Sequence, residues 1–65
     1  MKINMFDVVE LVDGRTGTVL ENYDTPPGYE IIDDGDPNSE TYDDTFAVEP
    51  HEIKRVIWRV GDPVI

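Results

Sequence analysis

The run Phe6-Asp7-Val8-Val9-Glu10-Leu11-Val12-Asp13-Gly14-Arg15-Thr16-Gly17-Thr18-Val19-Leu20-Glu21 decides the fold. Its first part alternates as a strand does: Val9 and Leu11 share one face, Val8 and Val12 the other,. Asp13-Gly14 is a strong turn signal, and Thr18 to Glu21 resumes the strand pattern,. Gly17, close behind the turn, is the residue expected at a bulge or sharp bend where a side chain would clash,. The opening of the chain is therefore two antiparallel strands joined tightly.

Outward from that unit the pattern repeats in short pieces. Asp24-Thr25-Pro26-Pro27-Gly28 is expected to break the ladder, since neither proline can donate to it,. Tyr29 to Ile32 is a third strand, with Tyr29 and Ile31 on one face,. Asp33 to Asp44 is read as an acid-rich hairpin turning around Gly35-Asp36-Pro37-Asn38-Ser39, and Thr45 to Val48 as its returning strand,. Glu49-Pro50-His51-Glu52 suits a single helical turn, with Pro50 at the first helical position and both glutamates favouring an N-terminal end,. Ile53 to Val60 is the last strand and Gly61-Asp62-Pro63 ends it,.

Side-chain choice agrees. Val and Ile supply 14 of the 25 hydrophobic residues, and Ala47 is the single alanine. β-Branched residues suit a pleated, half-buried surface and lose rotamer freedom in helices. The predicted fold is all-β: a small five-stranded SH3-like barrel, with one single helical turn before the last strand. It forms one domain over residues 1–65, of which 61–65 are a short C-terminal tail. Full or near closure of the barrel would leave no sticky edge. A core this small rarely yields more than about 3–5 kcal/mol of net stability, and the chain has no Cys to staple it.

Phe6-Asp7-Val8-Val9-Glu10-Leu11, Gly17-Thr18-Val19, Tyr29-Glu30 and Glu49-Pro50-His51-Glu52-Ile53-Lys54-Arg55 together resemble a group of small bacterial domains, domain-of-unknown-function family 4926. The resemblance spans about Phe6 to Val56. It implies an SH3-like barrel and no catalytic residues. This chain has a shorter link between its first two strands and a more acidic central hairpin than that family's pattern. Gly17-Thr18-Val19 also resembles, more weakly, the strand-turn-strand of KOW-type modules of ribosomal and transcription factors.

Charge carries the functional reading. Between Thr16 and Ile53 there are eleven Asp and Glu and no Lys or Arg; the bases are Lys2, Arg15, Lys54, Arg55 and Arg59, and the formal net charge is -10. A small domain needs a magnitude of only about 2–8 for solubility, and crowding the excess costs self-repulsion. Direct nucleic-acid binding, which draws on Lys and Arg neutralising phosphates, is excluded on this ground. No apolar run approaches a membrane span and no signal-peptide pattern is visible, so a cytoplasmic protein of a bacterium or phage, with no membrane partner, is the expectation,.

Asp33, Asp34, Asp36, Glu40, Asp43 and Asp44 are the expected contact residues for a basic partner, with Tyr42 as an apolar anchor. In a hairpin Asp33-Asp34 would face Asp43-Asp44, and like charges opposite one another are destabilising. Such a violation of a local rule points to function, against the plainer reading of a solvated edge guarded by charge. Asp34 to Glu40 begins like a calcium loop. Its sixth position is Ser39 in place of Gly, and its twelfth is Thr45 in place of Glu, so no metal is assigned,. His51 has no second His or Cys to build a zinc site and reads as a capping or surface residue,. No cofactor motif and no Ser-His-Asp set is present. Tyr29, Phe46 and Trp58 are read as core or lip residues of the barrel.

These readings converge on a noncatalytic acidic binding module that docks on a basic protein such as a nuclease or toxin. The sharper form is a nucleic-acid mimic, an inhibitor of the anti-CRISPR or anti-restriction type, or an immunity protein or antitoxin. The alternative is a self-associating structural or accessory domain, a homodimer through barrel edges and the apolar tail Val60 to Ile65, in which the acids serve solubility.

Overall fold

The computed structural model describes residues 2–59 and 61. Five strands, β1 (Val8–Leu11), β2 (Thr16–Asp24), β3 (Pro27–Asp33), β4 (Thr45–Val48) and β5 (Ile53–Trp58), form one antiparallel sheet in the order β4-β3-β2-β1-β5. Among the described residues there is no α-helix; a 3-10 turn, Pro50–Glu52, precedes β5. Pro50 opens that turn, and Glu49 and Glu52 form a capping box that satisfies its first donors,. The all-β class, the five strands and the single helical turn before the last of them are as the sequence predicts. The sheet is open: β4 and β5 do not pair, so closure by hydrogen bonds is absent among the described residues.

A flat five-stranded sheet would put its edges about 19 Å apart at the usual strand spacing. Here Val48 of β4 and Ile53 of β5 belong to one core with Ile3, Val9, Leu11, Val19 and Ile31. The sheet must curl to bring them together, and the short link through the 3-10 turn holds the two ends near each other. Val12 N–H donates to the Glu52 carbonyl at 2.9 Å, tying the end of β1 to that turn. Val9 and Leu11 lie inward as their alternation requires, Ile31 is buried, and Tyr29 and Phe46 pack against the core.

Several local expectations shift. β1 is shorter than Phe6–Val12, because Phe6 has a positive φ of 70° and belongs to a turn. The prolines do not break the ladder. β2 runs to Asp24, which pairs with Pro27 across a two-residue turn containing a cis Thr25-Pro26 bond. Pro27 is the first residue of its strand, a place where a missing donor is tolerated. Gly17 is no bulge; it pairs regularly with Val9 and Asp33. A Cβ there would overlap the Ile32 carbonyl oxygen and the Ile31 side chain, so the clash argument holds. The irregularity in β2 falls at Leu20 instead, between the pairs Val19↔Ile31 and Glu21↔Glu30.

Trp58 is not in the core. A register shift makes it the partner of Val8 on the outer face, where it is half-buried. The outer face thus carries one cross-strand row through all five strands: Thr45, Ile32, Thr18, Val8 and Trp58. Beside the Val8–Trp58 pair of that row Asp7, wholly buried, accepts from the Asn4 N–H at 2.9 Å and from Arg59 Nη1 at 3.2 Å. Arg59 Nη1 also donates to the Lys2 carbonyl at 2.9 Å. The apolar tail invoked for self-association, Val60 and 62–65, lies outside the described residues.

Candidate functional site

The acidic segment hangs between β3 and β4, and its organisation starts with strand alternation. Ile31 points into the core and Ile32 outward, so Asp33 must point inward again,. Its carboxylate is 2 % exposed. A buried carboxylate is costly unless hydrogen-bonded, and the loop supplies the bonds. The Thr41 hydroxyl donates to Asp33 Oδ2, the Ser39 hydroxyl lies 3.4 Å from the same oxygen, and the Gly35 N–H lies 3.5 Å from Oδ1. The Ser39 and Thr41 hydroxyls are 3.1 Å apart, so the two share one network. Gly35 is required here, because a Cβ would run into the Thr16 side chain.

The backbone then closes around Asp33. Asp43 N–H donates to the Asp33 carbonyl at 2.7 Å, and Asp33 N–H donates to the Asp44 carbonyl at 3.0 Å. Two residues thus oppose one, as in a bulge, and Asp43 takes a left-handed φ of 68°. Asp is among the few residues that accept that conformation readily. Turns from Asp36 to Ser39, Ser39 to Tyr42 and Thr41 to Asp44 shape the rest. Asp36 Oδ1 accepts from the Asn38 N–H at 2.9 Å, and Asp34 Oδ2 accepts from the Thr18 hydroxyl at 2.7 Å.

Of the expected facing of Asp33-Asp34 by Asp43-Asp44, the backbone bonds set Asp33 alone opposite Asp43 and Asp44, and the side chains relieve it. Asp33 turns in to hydroxyls, Asp34 turns to β2, and Asp36, Glu40, Asp43 and Asp44 are exposed while Tyr42 is half-buried. Asp33 organises the loop from within; the remaining acids are displayed.

Arg15 sits at the base of this display. Its guanidinium lies 4.4 Å from the Phe46 ring centroid, a cation–π distance,, and 2.8 Å from Asp13 Oδ2. The hydrogen bond to Asp13 raises the Arg15 pKa above its ordinary value, helped by the charges of Asp13, Asp33 and Glu52 against a smaller desolvation effect. The same bond, with the Arg15 backbone N–H, holds Asp13 below the usual carboxylate range. A shallow cleft lined by Arg15, Thr41, Asp43, Asp44 and Phe46 opens beside the loop.

Sequence alone does not single out Ser39, Thr41, Arg15 and Phe46 as parts of this site. Asp33, expected from the sequence among the residues offered to a partner, is instead buried, as strand alternation counted two on from Ile31 dictates,. His51 is exposed and lies 3.6 Å from Glu49 on the 3-10 turn. Among the described residues no group of three or more His, Asp or Glu is placed to hold a metal ion, and no helix is long and apolar enough to cross a membrane. No family model, curated protein or solved structure matches the chain.

Proposed function

We propose that this chain is a noncatalytic binding module whose β3–β4 loop docks on a basic protein surface. The observation that carries this reading is a display of carboxylates, Asp34, Asp36, Glu40, Asp43 and Asp44, on a loop fixed from within by buried Asp33. A flexible acidic loop would serve solubility equally well; a loop whose hydroxyls, turns and bulge converge on one buried carboxylate has its charges at set positions. Preorganisation of that kind lowers the ordering cost of association. Duplex DNA spaces its charges at roughly 1.7 Å along the axis, and a fixed carboxylate array can take the place of phosphates in a basic groove. The partner class is a nuclease inhibited by mimicry, or a basic toxin neutralised by an immunity protein or antitoxin. A net charge of -10 speeds encounter with either,.

The test is capture from bacterial lysate on the tagged chain, washed at low and then high salt, beside the Glu40→Lys, Asp44→Lys double variant. Both residues are exposed. Asp43 is left untouched, because Lys would be strained at its φ of 68°,. A basic nuclease or toxin released by salt, and lost by the variant with its amide spectrum intact, is the expected result. Equal capture by the variant would sink the proposal.

One set of observations favours a second reading. Met5, Phe6, Val12, Tyr23 and Ile57 are exposed apolar side chains, and among the described residues β4 and β5 are the edge strands of the sheet. A self-associating accessory domain would use them. Sedimentation over a hundredfold concentration range decides: a single unchanging monomer removes this reading.

A further inference from the structure

At the end of β3 away from the acidic loop, the β2–β3 turn meets the 3-10 turn and leaves a groove of about 320 Å³. Tyr23, Pro26, Pro27 and Ala47 supply its apolar lining, and Glu49 and Glu52 stand at its rim. Tyr23 and both prolines are exposed, as is Ala47. No Lys or Arg lines it. The Glu49 side chain is 72 % exposed, with His51 at 3.6 Å, and one oxygen of Glu52 accepts from the Glu49 N–H at 2.7 Å. An apolar floor beside two carboxylates with no cation among the lining residues is complementary to one chemistry: an apolar side chain with a Lys or Arg close by. The size is at the lower end for a ligand groove, room for one or two side chains of a peptide and not for a folded domain's face.

We infer that this groove binds a short segment of a partner protein, seating an apolar side chain against Tyr23 and the Pro26-Pro27 turn and a Lys or Arg against Glu49 and Glu52. The inference goes beyond the docking of the acidic loop. The seven residues of β3 (Pro27–Asp33) separate the two places by about 20 Å,. A single basic partner could engage both, and each can be lost without the other.

Selection of a displayed random peptide library on the full chain tests it, followed by titration of the enriched peptides, made synthetically, into isotope-labelled protein. Enriched peptides should pair an apolar residue with a Lys or Arg within a few positions. They should move the amide signals of Tyr23, Gly28, Ala47 and Glu52. Tyr23→Ala and Glu49→Gln should each weaken binding about tenfold or more, Tyr23 as an aromatic anchor and Glu49→Gln with the capping acceptor retained. Glu40→Lys, Asp44→Lys should leave peptide affinity within about twofold, because that pair of substitutions lies at the other pole.

Failure to enrich any peptide, peptides without a basic residue, or shifts confined to the β3–β4 loop would each overturn the inference. So would a concentration-dependent dimer that Tyr23→Ala abolishes, since a second copy would then be the occupant. Loss of the groove by any of these results leaves the lysate experiment on the acidic loop untouched.

Discussion

Asp33 and Gly17 show how much single positions carry in a chain this small. Replacing Asp33 by Ala leaves the Thr41 and Ser39 hydroxyls without their acceptor in a part-buried site. The expected cost is about 2–3 kcal/mol, read as a lower urea midpoint. Hydrogen exchange at the Asp43 and Asp44 amides should quicken more than exchange in β1 and β2. Uniform quickening would mean that Asp33 holds up the whole fold and not the loop. Gly17→Ala places a methyl group against the Ile32 carbonyl and the Ile31 side chain. Overpacking between paired strands should cost about 3 kcal/mol or more, most of what a small core provides. Urea titration of this variant should show a chain largely unfolded at 37 °C. A midpoint within 0.3 M of the parent would refute the close approach.

At the scale of elements, strands are legible wherever alternation meets a β-branched run. The bounds of β4 follow from the sequence, as do the pairs Val9 and Leu11 of β1 and Tyr29 and Ile31 of β3 that share a face. The β2–β3 hairpin runs through the expected break because a proline's missing donor matters only where a ladder bond is due, and register decides that,. Register was also what sequence could not supply for Trp58, which a one-residue shift against β1 moves to the outer face. In the acidic loop, residue types announced charge but not direction. The partners that fix it, Ser39, Thr41 and Thr18, come from up to 16 residues away in sequence. One pair in the β1–β2 turn and one across β1 and β5 set the acid response. Asp13 is held below its ordinary range by Arg15, and Glu10 by the hydrogen bond from Arg55, with Nε at 2.6 Å. A depressed carboxylate contributes stability above its unfolded pKa and loses it as pH falls through the folded value. Asp13→Asn should therefore lower stability at pH 6 by well under about 1 kcal/mol, the pair being exposed, and flatten the decline toward pH 3. Denaturant midpoints at both pH values measure it; an unchanged decline would remove Asp13 from the account.

For the molecule as a whole, -10 on 65 residues predicts that salt stabilises the fold. Raising ionic strength from 0.01 to 1 M shortens the screening length from about 30 Å to about 3 Å. Repulsion among the loop acids and Glu21, Glu30 and Glu49 should weaken by more than the ion pairs lose, the exposed ones being worth little and the one to buried Asp7 being screened less,. The expected result is a melting temperature that rises with sodium chloride. A fall would show that the pairs Arg15–Asp13, Arg55–Glu10 and Arg59–Asp7 outweigh the repulsion.

The clasp around Asp7 has an engineering consequence. Since Arg59 reaches the Lys2 carbonyl, positions 2 and 59 lie side by side. The segment from Lys2 to Arg59 can be spliced into a surface loop of another protein without prising its host apart, and those two positions can be joined by a few glycines and the segment reopened at the acidic loop as a circular permutant.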